Sequence, residues 1–471
     1  MKKVYLFAVM SAMLAACSQT EEQNPLSETT TKAPAAISFD VYTNRATTRA
    51  GLAKEITTTS LQSGVHKDAG FGVFGYYTDN GSYDQYAKPN FMYNQQVKYD
   101  GDATAWAYEP VKYWPNEYGN TAVSDDVDRV TFFAYAPWVK TIPTTGAIDI
   151  GTETDAAKIA QLQNYNITGM TTNSANGDPF IKYVVDWKPE TSVDLLWGVV
   201  ADPSNYEPIA GTVTLTAGMP FKDLVKETYD DKVEFNLRHA LAKLNIQIDA
   251  FVDGTTAANA VAANNKIFVR SITFEGFATK GALNLNNTTA NTPLWMDYGC
   301  VDELSVDAFT IHDGRKDGKE GYLDGAASNE KMTGLNPVLV QSVPYGNVSP
   351  ALSAGVTKTA VNLFDPGTGG ATSPIYVIPT NEELKITIVY DVETIDANLA
   401  GYLADGVKNG SSIENKITQT VKVSGSNLKL EAGKAYTINL HLGMTSVKID
   451  AAVEAWTTGA TANTDLPANK N

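Results

Sequence analysis

The side chains that most often do chemistry are scarce in this chain of 471 residues: four histidines, at 66, 239, 312 and 441, and two cysteines, at 17 and 300. These two residue types supply most zinc ligands and many nucleophiles and bases near neutral pH. His239 stands beside an apolar run in Leu237-Arg238-His239-Ala240-Leu241, the setting of a hydrogen-bonded structural histidine, and His66 and His441 have no partner nearby in sequence. No G-x-S-x-G, H-E-x-x-H or C-x-x-C occurs, so the common hydrolase, zinc and redox signatures are missing. Gly70-Phe71-Gly72-Val73-Phe74-Gly75 has the letters of a dinucleotide fingerprint. That chemistry needs a following helix whose N-terminus faces the pyrophosphate, and here a strand pattern runs on through Tyr76-Tyr77 to a turn. Glycines alternating with aromatics suit a strand with close neighbours.

The stretch HDGRKDGKEGYLD, from His312 to Asp324, puts Asp313, Asp317, Gly318 and Asp324 on a calcium-loop spacing, but Arg315 stands where an oxygen ligand belongs. A cation there opposes a divalent ion, and the segment reads as a solvated glycine-rich loop. Asp125-Asp126 and Glu382-Glu383 are carboxylate pairs of loops or strand edges. A glycosidase pair needs only nearness in space, which leaves a secreted glycosidase as a third-ranked reading. No catalytic residue, cofactor or metal ligand is assigned. Charge narrows the partners: 36 Lys+Arg against 53 Asp+Glu give a net charge of -17. Such a surface does not suit nucleic acid, whose phosphates need a basic face, and is repelled by anionic headgroups.

Attachment to a membrane must therefore come from elsewhere, and the N-terminus offers it. Lys2 and Lys3 precede an apolar run from Val4 to Leu14, too short to cross a bilayer but right for a secretory signal. Leu14-Ala15-Ala16-Cys17 then places small residues before a cysteine, and resembles the lipobox of bacterial lipoproteins. There the Cys17 thiol takes a diacylglyceryl group, cleavage precedes it, and the new amine is acylated. Several acyl chains together give stable anchoring. Residues 1–16 are thus the signal peptide and 17–36, polar and rich in Thr, Glu and Pro, a flexible tether. Gln19-Thr20-Glu21-Glu22 resembles an acidic export signal for the outer face of the outer membrane. With Cys17 committed to lipid, Cys300 has no disulfide partner within the chain and is expected to be a buried small hydrophobe.

From residue 37 the pattern is mainly β: runs such as 130–135, 233–237 and 384–390 separated by Gly, Asn, Asp and Pro, with one face toward a core and one toward water. A short helix is expected within 154–163, on Ala156, Ala157, Ile159, Ala160 and Leu162. The expected architecture is two tandem β-sandwich domains, residues 37–230 and 231–460, with a polar tail over 461–471. The boundary is placed where Asp230-Asp231 precedes a new strand.

Two strands at opposite ends stand out. Ile37, Phe39 and Val41 alternate with Ser38, Asp40 and Tyr42, and are followed by the polar run Thr43-Asn44-Arg45-Ala46-Thr47-Thr48-Arg49-Ala50-Gly51. A protease can reach such a loop. Cutting after Arg45 or Arg49 would leave the first strand held by hydrogen bonds alone, and its loss would open an apolar groove with unpaired edges. The other reading is a permanent edge strand with solvated arginines. At the far end Val447, Ile449, Ala451, Val453 and Ala455 alternate with Lys448, Asp450, Ala452 and Glu454, ahead of Trp456.

Segments spread over nearly the whole chain resemble the fimbrillin family, the lipoprotein pilins of type V pili. They are the lipobox at Cys17, Phe71-Gly72-Val73-Phe74, the run 106–115 (WAYEPVKYWP), Phe132-Phe133-Ala134-Tyr135-Ala136-Pro137, the run 235–244 (FNLRHALAKL), Tyr376-Val377-Ile378-Pro379 and the run 430–440 (LEAGKAYTINL). The resemblance implies a pair of transthyretin-like, immunoglobulin-like sandwiches and a non-enzymatic shaft or tip subunit of a surface fimbrium, serving adhesion and biofilm formation. It implies export as a lipid-bearing outer-membrane precursor and trimming by an arginine-specific protease at Arg45 or Arg49. Residues 37–41 would then be the removed strand, residues 447–455 the donor candidate, and other fimbrial subunits the partners in a head-to-tail polymer. The surface ligand is not specified. The rival reading is a monomeric surface glycan-binding lipoprotein using Trp106, Trp114 or Trp138 as a stacking platform.

Overall fold

The computed structural model describes residues 35–43, 55–64, 66–79, 81–115, 128–140, 165–186, 192–206, 215–225, 232–250, 265–312, 361–362, 374–395, 398–399, 410–423, 425–442 and 447–455. Cys17, Arg45, Arg49, the helix expected within 154–163, the loop after His312, Trp456 and the tail at 461–471 lie outside them.

The first strands in chain order are β1 (Phe39–Thr43), β2 (Phe71–Thr78), β3 (Met92–Asp100), β4 (Ala105–Ala107), β5 (Arg129–Ala136), β6 (Ile167–Met170), β7 (Phe180–Val184), β8 (Leu196–Val200), β9 (Phe221–Leu224) and β10 (Val233–His239), with one short helix, α1 (Thr58–Gln62), between β1 and β2. A reciprocal cap starts α1: the Thr57 hydroxyl accepts from the Ser60 N–H while the Ser60 hydroxyl accepts from the Thr57 N–H, the pairing that satisfies two orphan donors at a helix start. The main sheet has the order β1-β10-β8-β5-β2-β3-β4, with β9 also paired to β5. Its central strands are buried on both faces, and every residue of β5 and β8 is buried. Side chains alternate between two cores with the strand period of two. Phe71, Val73, Phe132, Ala134 and Phe235 enter one; Phe74, Tyr76, Phe133, Tyr135 and Trp197 enter the other. The expected watery face of β5 is therefore a second core, because other strands cover it.

The remaining strands are β11 (Ala242–Ala250), β12 (Asn265–Phe277), β13 (Lys280–Asn284), β14 (Leu294–Met296), β15 (Asp307–His312), β16 (Val361–Asn362), β17 (Ile375–Val377), β18 (Lys385–Ile395), β19 (Gly410–Thr420), β20 (Lys422–Val423), β21 (Ser426–Asn427), β22 (Lys434–Leu442) and β23 (Val447–Ala455). One sheet runs β16-β11-β22-β23 with β17 on β11, and another runs β15-β12-β18-β19. Leu244, Ile246, Tyr436 and Ile438 from the first share a core with Ile272, Phe274, Ile386 and Ile388 from the second, as in a sandwich. The chain is mainly β, as expected.

Asp230-Asp231 lies outside the described residues; the strand after it, β10, pairs with β8 and β1 in the main sheet, and the chain passes to another sheet at Ala240-Leu241. The two halves also interlock, since β7 pairs with β13 in the sheet β14-β13-β7-β6. Cys300, finally, is half-buried in a tight turn at φ 66°, where Asp297 accepts from the N–H groups of Gly299, Val301 and Asp302. Partial burial pushes its thiol up to about 11, so it is a protonated turn residue outside the core.

Candidate functional site

The N-terminal segment 35–43 is paired on two sides, through β1 with the main sheet and through residues 35–37 with the stretch that follows β4. On one side β1 runs parallel to β10, with Phe39 opposite Val233, Val41 opposite Phe235 and Thr43 opposite Leu237. The Val233 N–H donates to the Ser38 carbonyl at 2.9 Å. On the other side, residues 35–37 run antiparallel to the stretch that follows β4. Ile37 N–H donates to the Lys112 carbonyl at 2.9 Å, Trp114 N–H donates to the Ala35 carbonyl at 3.0 Å, and Ala36 bridges Tyr113. The Tyr108 hydroxyl donates to the Ile37 carbonyl at 2.8 Å. Successive stretches of the segment are thereby paired on opposite sides, residues 38–43 with β10 and residues 35–37 with residues 112–114. Backbone donors and acceptors at sheet edges are costly to leave unpaired where water is excluded.

The side chains follow from the sequence pattern. Ile37, Phe39 and Val41 point inward and are 1%, 2% and 3% exposed, whereas Ser38, Asp40 and Tyr42 are half-buried. The Phe39 ring lies 5.4 Å from Tyr108, 5.3 Å from Phe132 in an edge contact and 6.0 Å from Phe235 in a stack. These are favourable offset and edge geometries. Phe235, opposite Val200 in the ladder, lays its ring diagonally over Gly198 of β8: an added Cβ would stand 2.8 Å from the Phe235 ring and 2.9 Å from the Ala134 Cβ. At ~1.5–3 kcal/mol for each large apolar side chain, the three inward residues contribute about 5–9 kcal/mol. A slip of one residue would turn all three outward, so the register is fixed. The exposed Lys232–Asp40 pair at 3.3 Å adds little.

Downstream of Arg45 and Arg49 the chain is pinned again at once. Glu55, 4% exposed, takes the Lys243 ammonium at 3.0 Å. Ile56 N–H donates at 3.4 Å to the fully buried Asp194, whose carboxylate also meets the His239 Nδ1 at 2.7 Å and accepts from the Leu195 N–H at 2.8 Å. His239 is thus the hydrogen-bonded residue that its apolar setting implied. The Thr43 N–H donates to the Thr58 hydroxyl at 2.8 Å, so both ends of the arginine-bearing segment are anchored close together.

The C-terminal candidate is held differently. Among the described residues β23 pairs antiparallel with β22 and no other strand, from Lys434 opposite Ala455 to Leu442 opposite Val447. Ile449 is half-buried and Ala451 is buried, but Val453 is 36% exposed. β1 and β23 lie in different sheets.

Other sequence motifs resolve into structure. The glycines at 70–75 sit in and before β2; a Cβ on Gly72 would stand 2.3 Å from the Tyr135 ring, so the fingerprint letters record a close strand contact. Trp106 and Trp114 are buried, at 9% and 4% exposure, in the same core as Phe39. Trp138 is partly buried, and its indole N–H donates to the Asn94 carbonyl. The aromatic platform expected of a glycan binder is therefore absent at Trp106 and Trp114. Sequence reasoning named the strand but missed Tyr108, Phe132, Phe235 and Gly198 around it. The motif 106–115 gave a signal for Tyr108, though nothing in its spacing said what it faced. Among the described residues no group of three His, Cys, Asp or Glu side chains is placed to hold a metal ion.

No family model matches the chain, and no curated protein matches it. Among solved structures, a fimbrial protein from Bacteroides vulgatus is similar at 20% identity and a TM-score of 0.47, over 90% of this chain and 99% of its own. A candidate cell adhesion protein from Parabacteroides distasonis is similar at 11% identity and a TM-score of 0.39, over 91% and 98% of the two chains. Another from Bacteroides uniformis is similar at 14% identity and a TM-score of 0.34, over 90% and 98%.

Proposed function

We propose that this chain is a non-enzymatic structural or tip subunit of a cell-surface fimbrium that contributes to adhesion and biofilm formation. It is exported as a lipoprotein through Cys17 to the outer membrane, and an arginine-specific protease cuts it at Arg45 or Arg49. The observation that carries this reading is the double-sided closure made by residues 35–43. A cut between β1 and Glu55 leaves that segment with no covalent tie to the body, while the body stays pinned at Glu55 and Ile56. Its departure leaves a slot one strand wide, edged on one side by β10 and on the other by residues 112–114. Such a slot is filled at least cost by a strand from another subunit, which restores both ladders and buries alternate side chains. The contact joins unlike surfaces, so it propagates head-to-tail, as an open filament where the rotation between subunits does not close. The C-terminal strand, residues 447–455, is the candidate donor to a further subunit, since among the described residues its backbone ladder is with β22 only.

The test is N-terminal sequencing of the protein recovered from the cell surface, with the size of the particle that holds it. The expected mature form begins after Arg45 or Arg49, lacks residues 37–41, and migrates in high-mass fimbrial material. A variant with Arg45→Gln and Arg49→Gln should keep the N-terminal strand and stay out of that material. Surface protein that retains residues 37–41, bound lipid and a monomeric size would overturn the reading.

A further inference from the structure

The place filled by β1 selects its occupant by shape. Three rings, of Tyr108, Phe132 and Phe235, surround the Phe39 ring at 5.4, 5.3 and 6.0 Å. A side chain without a ring leaves that volume empty, and empty core volume is costly. On either side Ile37 and Val41 are 1% and 3% exposed, and each fills its site with a branched side chain. The outward residues Ser38, Asp40 and Tyr42 are half-buried and tolerate polar groups. The slot therefore reads branched, any, aromatic, any, branched, in a strand running parallel to β10 and antiparallel to residues 112–114.

The chain's own C-terminal strand does not carry that pattern. Its apolar face is Val447, Ile449, Ala451, Val453 and Ala455, with no ring in it and alanine at its centre. The next aromatic is Trp456, which falls on the opposite parity. Turning Trp456 inward would turn Glu454 and Ala452 inward as well, and a carboxylate buried against three rings with no partner is strongly disfavoured. Resting on the reading of β1 as a replaceable strand, we propose that the emptied slot accepts a strand from a different polypeptide. That strand carries an aromatic residue at the Phe39 place and branched apolar residues two positions to either side. The slot rejects the C-terminal strand of a second copy, so this subunit enters mixed assemblies and does not polymerise with itself.

The experiment uses the full chain cut by an arginine-specific protease and labelled peptides offered in excess. The peptides are the 35–43 sequence, the same with Phe39→Ala, the 447–455 sequence, and the latter with Ala451→Phe. The 35–43 peptide is expected to exchange into the cut protein and remain there. Phe39→Ala should weaken it at least about 100-fold, in line with loss of a buried ring. The 447–455 peptide should bind at least as weakly as the Phe39→Ala peptide, and Ala451→Phe should restore at least about tenfold by filling the ring pocket. Binding of the unaltered 447–455 peptide within about tenfold of the 35–43 peptide, or indifference to Phe39→Ala, would overturn the selectivity while leaving β1 replaceable. Failure of every peptide, the 35–43 sequence included, would remove the replaceable strand itself and the proposal with it.

Discussion

β1 and β23 are both outermost strands with an alternating apolar face, yet the fold treats them in opposite ways. β1 has backbone partners on both sides once residues 35–37 are included, and its three inward side chains are all but inaccessible. β23 has β22 on one side, and its exposure rises to 36% at Val453. The patterns Ile-Ser-Phe-Asp-Val and Val-Lys-Ile-Asp-Ala look alike in sequence. What separates them is whether another part of the chain closes over the far edge. An edge strand with small side chains can leave by breaking one ladder. A closing strand must break two ladders and empty a core. On the proposed reading, β1 therefore needs a covalent cut before exchange, whereas β23 needs none.

The widest gap between the two should be in stability. Phe39→Ala removes a ring packed against three others and is expected to destabilise the uncut protein by about 3–5 kcal/mol. Val453→Ala, at an exposed edge, should stay within about 0.5 kcal/mol. Chemical denaturation of both variants measures the contrast, and equal effects would break the distinction between a closed wall and an open edge. Next in size is Gly198→Ala. Its Cβ would stand 2.8 Å from the Phe235 ring that stacks on Phe39, and overpacking of this kind costs about 1–3 kcal/mol. The same denaturation measurement applies, and faster release of β1 after the protease cut is the readout that ties the loss to the pocket.

How far the sequence foretold this depends on which neighbours are local. The inward face of residues 37–41 was legible because alternation is a property of the strand itself. So was the structural role of His239, from the apolar residues around it. The partner β10, almost the whole first half of the chain away, was not: the pairing is parallel and non-local, and no turn residue announces it. The same limit explains β5, where Thr131 looks like a water-facing position but is fully buried, its hydroxyl accepting from the Asp223 N–H at 2.9 Å. Trp106 and Trp114 could be read as exposed platforms for the same reason. Whether an aromatic ring is a surface or a core depends on what packs against it, and here Phe71 and Tyr99 meet Trp106 while Phe132 meets Trp114.

Tyr108→Phe asks how much of the segment's hold is a single hydroxyl. That hydroxyl donates to the Ile37 carbonyl at 2.8 Å and accepts from the Lys112 N–H at 3.2 Å in a half-buried setting, and its loss should cost about 1–2 kcal/mol. Since the ring stays, the pocket around Phe39 should be intact. Phe39→Ala and Tyr108→Phe therefore separate the pocket from the ladder. If Tyr108→Phe proves as damaging as Phe39→Ala, the closure is held by its polar contacts and the ring pocket is secondary.

The smallest effect is a change in titration, and it reports on closure directly. Burial raises the Tyr108 phenol above its ordinary value near 10, partly offset by its hydrogen bond at Lys112. On β22, burial pushes the Tyr436 phenol up to about 12, again with a backbone bond, from Glu431, working against it. In both cases the folded protein prefers the neutral phenol. Their stabilisation is complete below pH 10, begins to fall there as the unfolded phenols ionise, and for Tyr436 is lost by about pH 12. Loss of β1 uncovers Tyr108 and leaves Tyr436 in place, because the Tyr436 hydroxyl bonds at Lys429 and Glu431, far from the slot in chain order and in a different sheet. Stripping removes Tyr42 along with β1, so phenolate absorbance against pH is compared between intact and β1-stripped protein in a Tyr42→Phe background; one tyrosine should titrate lower after stripping, and adding Tyr108→Phe should abolish that difference. A shift that survives Tyr108→Phe would mean that stripping β1 disturbs tyrosines elsewhere. The slot would then be a broader rearrangement and not a vacancy one strand wide.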